Sequence, residues 1–318
     1  MSCRSPEETE AAVEVLAQSR GRSVISNTPD FSAGLATNDT ANATADATAA
    51  AGVFSFDARL GALGDSDYTL WTRGGVTYVN DDTDLDDIDT VIGYLQAGLG
   101  FRPTPRSLIG LMIQGDLSEQ DADGAATADG VGFLIGPYGA LQLSDFMFLD
   151  AAALVGRAYN TAETSSGDEA DYDSDRLYLT AKLSGRFEQG QWRFKPALRG
   201  AYYVEQSESF RIGGVEIDES TDSLGQVRLG GEIGYDLYKD ERVLRPFIGV
   251  EGVYSFANGG STVDAAADGA DGVSASLSGG VEGQIGAASL EGRLTYDGLG
   301  DSDYSAYGGS LMLVIPLN

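Results

Sequence analysis

Carboxylate-rich stretches are the first parts of this sequence whose residue types and spacing could do chemistry. Between Asn80 and Asp87 the aspartates recur at nearly alternate positions, as they do in loops that present oxygen ligands to Ca²⁺. The stretch lacks the glycine at the sixth position and the glutamate at the twelfth position of an EF-hand loop. We therefore interpret it as a solvated acidic loop, and we predict no metal ion and no cofactor.

Enzymatic chemistry has little support in the composition. The 318 residues include no histidine, so a Ser-His-Asp triad cannot form. Pairs of carboxylates could in principle hydrolyse glycosides, but 49 acidic residues make any such pair unspecific. We predict that the protein is not an enzyme. The net charge of −29 also argues against nucleic acid as a partner, because phosphate binding needs clustered Lys and Arg.

A helix is predicted near the start of the chain. Ser5 suits the N-cap and Pro6 suits the first helical position. Apolar residues follow at helical spacing until Thr28-Pro29 ends the helix, which is about 30 Å long. The helix residues that we single out are Val13, Leu16, Arg20, Arg22 and Val24.

Three domains are predicted from changes in pattern. Residues 1–30 contain the helix and its end. Residues 31–67 are predicted as a linker, since much of this segment is rich in Ala, Thr, Asn and Asp without periodicity. Within it, Val53 to Leu60 alternates and is predicted as a short extended segment against the main domain, which comprises residues 68–318.

From Tyr68 onward apolar residues recur with a period of two. Segments of this kind, ten to fourteen residues long, match the tilted strands of a transmembrane β-barrel. A charge on the lipid face would cost about 2–4 kcal/mol at mid-depth, and the apolar faces carry none. The polar faces should line a lumen. Their charged residues are Arg73, Arg176, Lys182, Arg186, Arg193, Lys195, Arg199, Arg228, Glu232, Glu251, Glu282, Glu291 and Arg293.

The connections between these segments alternate in length. Short ones lie at residues 102–106, 142–145, 188–191, 239–242 and 286–287, and long acidic ones lie at 80–89, 118–130, 161–174, 206–222, 258–272 and 297–303. Short periplasmic turns and long external loops are the arrangement of outer-membrane barrels. We therefore predict an all-β fold: a twelve-stranded antiparallel barrel with the N-terminal helix in its pore.

Several segments resemble the translocator domains of autotransporters, and the resemblance covers nearly the whole chain. The segments that carry it are the helix ending Val24 to Phe31, where Thr28 replaces the family's Gln, the aromatic segment Phe54 to Phe56, the first strand with Leu70 to Gly74, and the strand with Pro196 followed by Glu205. The resemblance implies a bacterial outer-membrane barrel that anchors, and helps to export, an N-terminal passenger. The partners that we expect are outer-membrane lipid, the passenger and the barrel-assembly machinery, with the barrel itself a monomer.

The last strand should carry the assembly signal of that family. Its alternating residues are Tyr307, Leu311, Leu313, Ile315 and Leu317. The strand ends in Asn318, where the family usually has an aromatic residue. No Asn lies between Pro6 and Ser26, so we expect no cleavage of a passenger within the helix.

Two alternatives to passenger export stay open at this point. One is a porin-like channel with a displaceable helix, and the other is a structural barrel whose acidic loops meet partners. The first ten residues also lack the apolar segment of a signal peptide. We therefore expect the chain to be the C-terminal part of a longer precursor, or its start to be misassigned.

The charges suggest how the helix is held. We expect one or both of Arg20 and Arg22 to pair with an acidic wall formed by Glu232, Glu282 and Glu291, with Glu251 nearer the middle of the lumen. An opposing basic sector of Arg176, Arg186, Arg193 and Lys195 could hold the acidic side chains Glu7, Glu8, Glu10 or Glu14 of the helix.

Overall fold

The structure, a computed structural model, describes most of the chain. The described residues are 6–29, 31–35, 44–50, 53–60, 68–82, 87–122, 126–239, 242–258, 272–285, 288–300 and 306–314. The helix α1 spans Pro6–Ser26, and a short 3-10 helix at Phe31–Gly34 follows it. No helix in these ranges combines the length and the apolarity needed to cross a bilayer.

The ends of α1 are where the sequence predicts them. Pro6 occupies the first position, where a missing N–H removes no helical hydrogen bond. At the other end the Asn27 side-chain amide donates to the Ser23 carbonyl at 2.9 Å, and the Thr28 hydroxyl donates to the Val24 carbonyl at 3.1 Å. These bonds satisfy carbonyls that have no partner within the helix.

The rest of the described chain is almost entirely β-structure. The strands are β1 (Thr44–Ala50), β2 (Val53–Leu60), β3 (Tyr68–Asp82), β4 (Asp87–Thr104), β5 (Ser107–Ala122), β6 (Thr127–Ser144), β7 (Met147–Glu163), β8 (Glu169–Gly185), β9 (Phe187–Gln189), β10 (Trp192–Ser207), β11 (Phe210–Ile212), β12 (Val215–Ile217), β13 (Ser220–Tyr235), β14 (Leu237–Lys239), β15 (Arg242–Asn258), β16 (Gly272–Ile285), β17 (Ala288–Leu299) and β18 (Ala306–Val314).

Antiparallel pairing links fourteen of these strands into a ring. Each strand from β3 to β8 pairs with the next, β8 pairs with β10, β10 with β13, β13 with β15, and β15 to β18 pair in order. The hairpin of β1 and β2 lies between β18 and β3. Every strand of the ring therefore has hydrogen-bonded neighbours on both sides, which leaves no open edge among them.

Twelve of the fourteen ring strands come from the domain predicted to begin at Tyr68. The short strands β9 and β14 are not members of the ring and pair with β10 and β15. Their connections alternate between short and longer, as predicted. The strands extend well into the segments predicted as long loops: β7 ends at Glu163 and β8 begins at Glu169. Here the outward-facing residues Glu163, Glu169 and Asp171 are charged, so the apolar outer face that marks a membrane strand is missing from the sequence.

The segment predicted as a linker contains an additional hairpin. Val53–Leu60 forms β2, and Thr44–Ala50 forms β1. The pairing of Ala45 with Leu313 also means that the last strand meets β1 and does not meet β3 directly. Alanine and aspartate are poor strand formers, so β1 depends on the two neighbouring strands that supply its hydrogen bonds.

The two faces of the ring have opposite character. Large apolar side chains are exposed on the outer face, among them Leu95, Leu111, Leu229 and Ile248, each at least 60% exposed. Along each strand they alternate with buried residues that point inward. An apolar band this extensive is far larger than the patches on soluble proteins, and it suits a lipid environment.

Candidate functional site

The helix α1 lies inside the ring. Its residues 12–21 are all buried, although they include Glu14, Gln18, Ser19 and Arg20. The helix contacts β4, β5, β6, β7, β10, β12 and β13, so it leans against one side of the wall. Buried polar side chains on a helix need polar partners, because unpaired buried polar groups are costly. The inward face of the strands supplies them.

Arg20 anchors the middle of the helix. Its Nη1 donates to Oε1 of Glu205 at 3.0 Å, and its Nε and Nη2 donate to the Ser118 hydroxyl oxygen at 2.9 and 2.6 Å. The side chains of Arg20 and Glu205 are 0% and 2% exposed. Ser118 lies on β5 and Glu205 on β10, so the guanidinium bridges two strands that are not neighbours.

A second buried ion pair lies beside the first. Nη1 of Arg176 donates to both carboxylate oxygens of Asp116, at 2.9 and 3.0 Å. Tyr203 connects the two pairs: Nε of Arg176 donates to its hydroxyl at 2.8 Å, and that hydroxyl donates to Oε2 of Glu205 at 2.5 Å. Two cations and two carboxylates thus form one neutral network, the condition under which buried charges are tolerated.

Glycines make room for this network. A Cβ at Gly130 would lie 2.5 Å from Nη2 of Arg20, and one at Gly132 would lie 2.0 Å from Nη1 of Arg176. On the helix, a Cβ at Gly21 would lie 2.8 Å from Cδ1 of Tyr203. Real Cβ atoms do not approach other atoms this closely, so a larger residue at any of these positions would displace its neighbour.

The outer part of the helix is covered by a small hairpin. The strands β11 and β12 turn at Gly213 and Gly214, whose φ angles of 56° and 86° suit a tight two-residue turn. The apolar residues of this hairpin pack with helix and wall residues in one buried cluster: Val13, Ala162, Tyr172, Phe210, Ile212 and Ile217. We call this group the hairpin cluster. It lies at the long-connection end of the ring.

The inner end of the helix is held by hydrogen bonds and aromatic packing. The Tyr94 hydroxyl donates to Oδ1 of Asn27 at 2.9 Å, and the Thr28 and Tyr178 hydroxyls are hydrogen-bonded to each other. Beyond the helix, Phe31 stacks on Tyr138 with ring centroids 4.6 Å apart. Tyr138 pairs with Gly110, which lies near the short turn between β4 and β5. The helix therefore runs from the long-connection end to the short-turn end of the ring.

The short-turn rim carries further charge pairs. Asp236 accepts hydrogen bonds from Nε of Arg193 at 3.0 Å and from Nε of Arg245. Desolvation raises the pKa of the Asp236 carboxyl, but the hydrogen bonds and positive charge of Arg245 and Arg193 outweigh it, so its pKa lies below the usual value. This rim stays charged down to acidic pH.

The expected acidic wall does not hold Arg20. Oε1 of Glu232 lies 3.0 Å from Nζ of Lys195, and Oε2 of Glu251 lies 3.9 Å from Nη1 of Arg228. Arg20 pairs instead with Glu205 on β10, which lies nearer the long-connection end of the ring than Glu232 on the neighbouring β13. Arg22 is only half-buried. The side chains of Arg73, Glu282, Glu291 and Arg293 lie outside the described part of the structure.

The expected basic sector is also organised differently. Its first member, Arg176, belongs to the buried network and pairs with Asp116. Of the other basic wall residues, Lys182 pairs with Asp150, Arg193 with Glu188 and Asp236, Arg186 lies over the ring of Phe148, and Arg199 is half-buried. The helix residues Val13, Leu16 and Val24 are buried as expected.

Four network members escaped the sequence prediction of the site: Asp116, Ser118, Tyr203 and Glu205, the last of which is named only in the family resemblance. Asp116 and Ser118 lie on a run of alternating polar residues, Gln114 to Gln120, and this period of two was a readable sign of an inward face. Of the expected assembly signal, Tyr307, Leu311 and Leu313 lie on β18, whose side chains are outside the described part. Ile315 and Leu317 follow it and are also outside.

No group of three or more Cys, Asp and Glu side chains in the described ranges is arranged to hold a metal ion. The ring of strands, its apolar outer face and the polar helix inside it define a class of protein, the outer-membrane β-barrel with a helix in its lumen.

Comparison with known proteins gives the family. The model of the autotransporter beta-domain family matches residues 70–312, and the chain therefore belongs to that family. It is an outer-membrane translocator domain for passenger export, located in the bacterial outer membrane. No curated protein sequence matches the chain.

Solved structures with the same fold include three autotransporter domains. The translocator domain of NalP from Neisseria meningitidis is 14% identical, with 99% of this chain and 100% of that chain covered and a TM-score of 0.60. The beta domain of the Bordetella autotransporter BrkA is 17% identical, with 79% and 100% covered and a TM-score of 0.55. The transport unit of AIDA-I from Escherichia coli is 11% identical, with 99% and 100% covered and a TM-score of 0.53.

Proposed function

We propose that α1 is the plug of this translocator and that Arg20 is its principal anchor. The observation that carries the proposal is the complete burial of the Arg20 guanidinium between Ser118 and Glu205. Ion pairs exposed to water contribute roughly 0–1 kcal/mol, whereas removing one partner of a buried pair costs several times more. The helix is thereby fixed at one height, and the lumen that the passenger crossed is closed.

The passenger joins the translocator at its N-terminal side. The helix begins at the long-connection end of the ring, which corresponds to the cell surface in outer-membrane barrels. A chain attached there emerges on the outside while α1 fills the pore. We propose that the barrel-assembly machinery inserts the domain and that the domain acts as a monomer, in contact with outer-membrane lipid.

The domain works as a transport and anchoring unit and not as an enzyme. Two of its buried carboxylates, Asp116 and Glu205, are bound by arginines. In this arrangement they stabilise a closed structure, and a general acid or base would instead need access to a substrate.

Single-channel recording tests the plug. In planar bilayers the whole chain should be nearly closed, and a variant lacking residues 6–26 should conduct steadily. Equal, large conductance of both proteins would contradict the plug and favour a porin-like channel. An epitope-tagged reporter, preceded by a signal peptide and fused before Met1, tests export separately, because the reporter should become accessible to protease added outside intact cells.

A further inference from the structure

The residues that surround the Arg20 guanidinium belong to the wall of the barrel, and we call Glu205, Ser118 and Gly130 the seat of Arg20. Glu205 comes from β10, Ser118 from β5 and Gly130 from β6, and the helix contributes only the arginine. A guanidinium presents five N–H donors in a planar fork. Nη1 of Arg20 uses the Glu205 carboxylate, while Nε and Nη2 share the Ser118 oxygen. Three of the five N–H donors are thus matched by acceptors fixed in two strands.

The space in the seat also fits a flat cation. The Cβ that Gly130 lacks would lie 2.5 Å from Nη2 of Arg20 and 2.2 Å from Oδ1 of Asn160, so both atoms border the same space. Oδ1 of Asn160 is buried and accepts no hydrogen bond. The Ser118 hydroxyl donates to the Gly130 carbonyl at 3.2 Å, which leaves its oxygen turned toward the guanidinium as an acceptor.

The charge of the surrounding wall calls for one cation. Without Arg20, the network contains Arg176 with charge +1 and Asp116 and Glu205 with charge −1 each, a sum of −1. Asp116 already binds Arg176 through both oxygens, and Arg176 lies 3.9 Å from Glu205. Glu205 keeps one carboxylate oxygen hydrogen-bonded to Tyr203, and its other oxygen needs the missing cation.

We propose that the barrel wall carries a guanidinium-binding site of its own, which Arg20 occupies when the pore is closed. The site consists of Glu205, Ser118, Gly130 and Asn160, and its ligand class is a guanidinium cation. An arginine side chain of a polypeptide in the lumen has the same chemistry. A lysine ammonium is a compact point charge and cannot reach the acceptors on β5 and β10 at once. The binding site itself does not depend on the proposed function. Only the identity of its occupant, Arg20 of the closed plug, rests on that function.

Chemical rescue tests the site. The full chain with Arg20→Ala is folded in detergent, and the temperature at which it unfolds is followed by its change in gel migration. Guanidinium chloride is added at millimolar concentrations far below denaturing ones, with ammonium chloride at equal ionic strength as the comparison. We expect guanidinium to recover most of the lost unfolding temperature in a saturable manner, and ammonium to recover little.

Two variants make the result specific. Arg22→Ala, which removes a half-buried arginine two residues further along the helix, should show no saturable response to guanidinium. Arg20→Ala combined with Glu205→Gln should lose the rescue, because the carboxylate is the charged part of the site. If the alanine variant does not fold, Arg20→Gln replaces it, because its shorter and neutral side chain leaves the space beside the Glu205 carboxylate open. Equal rescue by both cations, rescue that survives Glu205→Gln, or no rescue overturns the proposal. The melting experiment needs no channel, so it is independent of whether α1 closes the pore.

Discussion

Replacing Arg20 with alanine should open the pore of the whole chain. The change leaves Glu205 buried, charged and hydrogen-bonded only through Tyr203 among the contacts that the structure gives it. Breaking one side of a buried ion pair costs about 3–5 kcal/mol. Since 1.36 kcal/mol corresponds to a factor of ten, the ratio of plugged to unplugged protein should fall by roughly two to nearly four orders of magnitude.

Single-channel recording in planar bilayers measures this ratio as the fraction of time spent open. Arg22→Ala is the matched control, because it removes the same side chain from a half-buried position and should change the open fraction little. Replacing Arg20 and Glu205 together by leucine should open the pore less than Arg20→Ala alone, since no unpaired charge is left. If Arg20→Ala and Arg22→Ala behave alike, the anchoring argument is wrong.

Three further predictions concern other parts of the structure. Gly21→Ala should raise conductance, because the new Cβ would lie 2.8 Å from Cδ1 of Tyr203 and displace the helix. Gly200→Ala is the control, because a Cβ there has no atom within 4 Å, and equal effects of the two variants would refute the steric argument. Phe210→Ala should speed amide hydrogen exchange in the outer half of α1 by loosening the hairpin cluster, and unchanged exchange would show that the hairpin does not hold the helix. Leu111→Arg places a charge on the outer face and should cost about 2–4 kcal/mol of stability in lipid, read from urea unfolding in vesicles, while an unaffected variant would place that face outside the membrane.

Much of the fold could be predicted because membrane and lumen impose strict alternation. A lipid face excludes charge, so strands such as β8 and β10 show the period of two without ambiguity. The ends of α1 were predictable for a local reason, since proline and the Thr28-Pro29 step restrict the backbone directly. β1 was not, because its stability comes from its neighbours and its own residues carry no strand signal.

The partner of Arg20 could not be predicted from the strands alone. Alternation tells which side chains point inward, but not which of them reach the same point in the lumen. That depends on the stagger between strands and on where the helix leans, and a difference of one strand moves a side chain by about 5 Å. Glu205 and Ser118 are 87 residues apart in the sequence and meet only through the curvature of the ring.

The composition of the network follows from the two states that a plug needs. A passenger must cross the same lumen before α1 closes it, so the wall has to be acceptable to water as well as to the helix. An apolar seat would hold a helix by burial but would be costly when hydrated. Arg176 and Asp116 neutralise each other within the wall, so removing the helix leaves a single unpaired charge on Glu205. In an open pore, water can solvate the Glu205 carboxylate. In the closed structure Arg20 replaces that water and pairs with the carboxylate. One charge on the helix therefore suffices to select the closed state.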